Sequence, residues 1–117
     1  MQTHLLLSVG SNPELMKLRS LVLLKAGYAL REAMDTTDAV KIFKAGDFDL
    51  VIICHTIPER ERLALIAAVR EERPSAKIIV IRKDGELSGK LADETVHSLD
   101  GAEALLGTVA HALDKRN

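Results

Sequence analysis

The chain has one cysteine, Cys54, no tryptophan, one tyrosine, two phenylalanines and three prolines in 117 residues. A single cysteine excludes an intramolecular disulfide framework. So few aromatic rings leave little to stack on an isoalloxazine. Neither sign of charge dominates: 16 basic and 17 acidic side chains leave a formal net charge of -1. There is no general attraction to nucleic acid or to an anionic membrane, and no local basic patch stands out. No apolar run approaches the ~20 residues that cross a bilayer. The N-terminal MQTHLLLSVG lacks both the basic n-region and the longer apolar segment of an export signal. A cytoplasmic location is expected, with neither nucleic acid nor membrane as a partner. Low-complexity tracts and internal repeats are also missing.

What is present is enough for a core: 47% apolar residues, with 28% charged residues to keep the surface wet. One compact domain spanning residues 1–117 is expected. Strand and helix signals alternate along it. His4 to Val9 reads as a strand, and Ser11, Asn12 and Pro13 as a helix start. Leu15, Leu18, Leu21, Val22 and the stem of Lys25 share one face of that helix, and Gly27 ends it. Ala29 to Ala33 is a second strand. Thr36, Thr37 or Asp38 caps a short helix carrying Ala39, Ile42 and Phe43, ended by Gly46.

The stretch DLVIICHTIPE, Asp49 to Glu59, contains the buried-strand pattern Leu50 to Ile53, and Cys54, His55 and Thr56 follow directly. Pro58 opens a third helix with Leu63, Ile66, Ala67, Val69 and Arg70 at helical spacing, and Arg73 and Pro74 end it. The charge runs PERER and REERP belong to its solvated flank. Lys77 to Ile81 is a fourth strand. Apolar periodicity fades over KDGELSGKLADE, so a fourth helix is shortened or missing. Thr95 to Ser98 is a fifth strand, and Asp100 caps a last helix. Five βα repeats predict a doubly wound, flavodoxin-like α/β fold: a five-stranded parallel sheet in the order 2-1-3-4-5. In such a sheet, the residues just past the strands are where function resides.

NPELMKLRSLVLLKAGY, AGDFDLVIICHTIP, the strand KIIVI and the closing helix together resemble the receiver domains of two-component response regulators, over nearly the whole chain. The resemblance makes substitutions visible. The family's two acidic metal ligands, three and two residues before the proline of the first helix, fall on Gly10 and Ser11. Its phosphoacceptor aspartate, five residues after Asp49 and four before Pro58, falls on Cys54. The hydroxyl residue of the fourth strand falls on Arg82, and the lysine of the fifth falls near Ser98, with Leu99 where proline should follow. The resemblance therefore implies a degenerate phosphorylation site at Gly10, Ser11, Cys54, Arg82 and Ser98. A thiol forms no acyl phosphate, and magnesium wants hard oxygen ligands. The expectation is a pseudo-receiver that is not an enzyme and carries no cofactor.

Each conspicuous residue also has a plainer role. Cys54 fits a small buried hydrophobe, or a reactive thiol if it is exposed beside His55 or Arg82. Cys54, His55 and His97 near one sheet edge suggest a metal site only if their side chains converge, and strand alternation works against that. Arg82 is expected to lie over the surface and pair with Asp84, Glu59 or Glu86. His4 and His111 read as surface histidines. In the last helix, Leu105, Val109 and Ala112 face the sheet, leaving Leu106 and Leu113 on a flank suited to a protein partner or a second copy. Two functions follow. The first is a phosphorylation-independent signalling or protein-interaction domain, a possible dimer. The alternative is a small-ligand module for an anion or flavin, or a thiol redox sensor, on a flavodoxin-like fold.

Overall fold

The computed structural model describes residues 3–83 and 88–114. Along them run β1 (Leu5–Val9), α1 (Pro13–Lys25), β2 (Ala29–Ala33), α2 (Thr36–Ala45), β3 (Leu50–Ile53), α3 (Glu59–Glu72), β4 (Lys77–Arg82), α4 (Ser88–Leu91), β5 (Glu94–His97) and α5 (Gly101–Asp114). Every strand pair is parallel and the order is β2-β1-β3-β4-β5, the topology expected from the βα alternation. The fourth helix is a single turn, in line with the weak periodicity there.

Local chemistry sets the element ends. The Asn12 side chain accepts from the backbone N–H groups of Glu14 and Leu15, Pro13 takes the first helical position, and Gly27 leaves α1 at φ 102°. The cap of α2 is Asp35, whose carboxylate accepts from Asp38 N at 2.8 Å; this is one residue ahead of the candidates Thr36, Thr37 and Asp38.

Alternation along the strands divides the core into two layers. Leu7, Val9, Val51, Ile53, Ile78 and Val80 pack against Phe43 of α2 and Leu65 and Val69 of α3. Leu6, Leu50, Ile52, Ile79 and Ile81 pack against Leu23 of α1 and Leu105 and Val109 of α5. The central strand β3 is buried on both sides, which is why it reads as a continuous apolar run.

Three sequence expectations about helix faces are corrected. In α1 the inward stripe is Met16, Arg19, Ser20 and Leu23, while Leu18 and Leu21 are each 57 % exposed. In α3 it is Arg62, Leu65, Ile66 and Val69, while Ala67 is exposed. Arg62 is therefore not part of the solvated flank of PERER. In α5, Leu113 belongs to the core at 8 % exposure, and only half-buried Leu106 retains surface.

Candidate functional site

The pairing of β1 with β3 aligns Val9 with Ile53, so the chains leave the sheet together at Gly10 and Cys54. Cys54 N donates to Val9 O at 2.8 Å and Gly10 N to Ala33 O at 3.1 Å, extending the ladder one step. By alternation, Gly10 and Cys54 share the sheet face covered by α1 and α5. The approach is close. A Cβ on Gly10 would lie 2.8 Å from Met16 Sδ and 2.9 Å from Cys54 Cβ, so only glycine fits without displacement. Buried Met16 fills the space beneath, its sulfur accepting from Ser8 Oγ at 3.7 Å.

The loop after β1 is laced to the loop after β3. Ser11 N donates to Thr56 Oγ1 at 3.0 Å, and Ser11 Oγ donates to Thr56 O at 3.1 Å. Two arginines grip the second loop from opposite layers. From α3, Arg62, 1 % exposed, donates through Nη1 to His55 O at 2.8 Å and Ile57 O at 2.7 Å, and its Nη2 pairs with Glu59 at 3.0 Å. From α1, Arg19, 9 % exposed, donates through Nη1 to Cys54 Sγ at 2.8 Å.

On the other side of β3, β4 and β5 end together with Arg82 opposite His97, and Ser98 N donates to Arg82 O at 2.9 Å. Half-buried Arg82 runs toward α4, its Cδ 3.3 Å from where a Cβ on Gly89 would stand. Of the acidic partners expected for Arg82, Glu59 binds Arg62, and Asp84 and Glu86 lie outside the described residues. Gly10, Ser11 and Cys54 thus form one group, and Arg82 and Ser98 form a second on the neighbouring strands.

The residues present do not fit a magnesium ion. Gly10 offers no side-chain donor, the Ser11 hydroxyl is engaged with Thr56 O, and Cys54 Sγ faces the cationic Arg19. Among the described residues no group of three His, Cys, Asp or Glu side chains could hold a metal ion, so Cys54, His55 and His97 do not converge into one. Cys54 is 2 % exposed, and Phe43 and Phe48 stack on each other inside the core, 6.0 Å between centroids. Neither ring is available to a flavin. His111 is a surface residue, bonded to Glu94 at 3.1 Å.

Met16, Arg19 and Arg62 escaped the sequence reading, and Thr56 was placed just past β3 without a role. Met16, Arg19, Ser20 and Leu23 do stand at i, i+3, i+4 and i+7, the helical spacing for an inward stripe. Two polar members hid it.

No protein-family model and no curated relative matches the sequence. Solved structures do match the fold. A response-regulator receiver domain protein from Methanospirillum hungatei superposes at TM-score 0.89 with 18% identity, covering 98% of this chain and 97% of that one. The response regulator TrrA from Thermotoga maritima, solved with magnesium and beryllofluoride, superposes at 0.83 with 27% identity over 94% and 99%. The beryllofluoride-activated NtrC4 receiver domain, a dimer, superposes at 0.85 with 23% identity over 97% and 98%. The fold is that of the CheY-like receiver domains of response regulators.

Proposed function

We propose that this chain is a receiver-like signal-transduction domain that works without aspartyl phosphorylation, through contact with a protein partner or a second copy of itself. The observation that carries the reading is the filled acidic pocket. Where a receiver needs carboxylates, this site has Gly10 pressed against Met16 and Cys54, a Ser11 hydroxyl bound to the next loop, and a thiol under an arginine. The degenerate site comprises Gly10, Ser11, Cys54, Arg82 and Ser98. It has no carboxylate nucleophile and no ligand set for the divalent ion that phosphoryl transfer requires. The domain is not an enzyme on this reading, and it acts in the cytoplasm.

Partner contact through α5 rests on Leu106, since Leu113 is taken up by the core. The dimeric NtrC4 receiver supports self-association as one form of that contact. The test is incubation with a small phosphodonor and magnesium, followed by intact-mass analysis and peptide mapping. No phosphoryl adduct is expected at the receiver site. A stoichiometric adduct mapped to residues 54–56 overturns the reading.

A further inference from the structure

Arg19 is nine-tenths buried, yet its one described hydrogen bond goes to the Cys54 thiol sulfur, a weak acceptor. No carboxylate lies within ion-pair reach of it among the described residues. A guanidinium has five N–H donors, and a buried cation is ordinarily paired. Arg19 lines a cavity of about 90 Å³ between α1, α5 and the ends of β4 and β5, room for several water molecules. Its described lining holds no acidic side chain. Leu15, Ile81, Val96 and Leu105 supply apolar walls, and Ser98 and Ala102 stand near the N-terminal end of α5, where the helix dipole is positive.

We infer that this cavity binds a small monocarboxylate, with the carboxylate on the Arg19 guanidinium and a short aliphatic end against the leucine, isoleucine and valine walls. Arg19 is the one lysine or arginine in the described lining, which sets the charge of the ligand at one. The cavity volume limits it to a few non-hydrogen atoms, and the walls favour a hydrocarbon end over further hydroxyl groups. A guanidinium meets a carboxylate through paired N–H···O bonds, which Cys54 cannot match. The inference does not depend on the signalling reading, because it draws on Arg19 and the cavity rather than on the missing phosphorylation chemistry.

Titration of the isotope-labelled chain with sodium acetate and sodium propionate at constant ionic strength, followed by ¹H–¹⁵N correlation spectra, tests it. Saturable shifts are expected at Arg19 Nε–H and at the amides of Ser98 and Ala102. The Kd should be on the order of 1 mM, consistent with four or five ligand atoms, and propionate should bind no more weakly than acetate. Arg19→Met should raise Kd at least about tenfold. Ala102→Leu, which fills the cavity and keeps the guanidinium, should do the same and covers the case in which Arg19→Met folds poorly. Shifts that grow linearly, that sodium chloride reproduces, or that persist in either variant overturn the site. Tighter binding of inorganic phosphate than of either carboxylate overturns the ligand assignment.

Discussion

Arg62 and Arg19 approach the same loop from opposite layers of the molecule and have very different surroundings. Arg62 is bonded to two backbone carbonyls and a carboxylate, while Arg19 is bonded to one sulfur. Both are buried, Arg62 at 1 % and Arg19 at 9 % exposure, and the larger difference is in their partners. A buried cation with a full set of acceptors holds structure together. A buried cation with one weak acceptor, next to a cavity, keeps binding capacity in reserve. The α2/α3 layer has the character of a finished core. On the α1/α5 layer a polar seam reaches inward, including Ser8, Arg19, Cys54 and Ser20, whose hydroxyl is bonded to Glu32.

The contrast is breakable in a definite order. Arg62→Met should cost the most, about 2–4 kcal/mol, because it strands the carbonyls of His55 and Ile57 without donors. The midpoint of thermal unfolding by circular dichroism should fall by roughly 10 °C or more. Gly10→Ala should come next at about 1–3 kcal/mol, because the new methyl group meets Met16 Sδ and Cys54 Cβ inside contact distance. Trimming the thioether with Met16→Ala should recover only part of that loss, since the Cys54 Cβ cannot swing away. Denaturant midpoints of the single and double variants measure this. Arg19→Met should change stability least, within about 1 kcal/mol, because an apolar chain of similar length replaces a poorly partnered ion. A loss for Arg19→Met equal to that for Arg62→Met would erase the comparison and make Arg19 a structural residue.

Sheet order, strand positions and the short α4 were legible because β3 is an apolar run, the caps at Asn12 and Pro13 are strong, and parallel crossovers admit few topologies. The inner faces of α1 and α3 were not, for one shared reason. Reading a helix by its apolar residues left Arg19 and Arg62 to water, and each of these helices buries one of them. Rotating the assumed stripe away from Arg19 moved Leu18 and Leu21 inward on paper, and avoiding Arg62 did the same to Ala67. Sequence register alone brought Gly10 and Cys54 to the same sheet edge. What occupies the space between them depends on which way Met16 and Arg19 point, and that is a packing result. Leu113 was misplaced because α5 has apolar residues around more of its circumference than one stripe, and the core takes up the surplus.

The close fit at Gly10 also imposes an order on change. A side chain cannot be installed at position 10 until Met16 and Cys54 have made room, and an aspartate installed first at position 54 would meet Arg19 before it met any metal ion. Each single substitution toward an acidic pocket is thus met by a neighbour: Met16 and Cys54 at position 10, Arg19 at position 54. An acidic pocket at this edge of the sheet therefore requires several simultaneous substitutions.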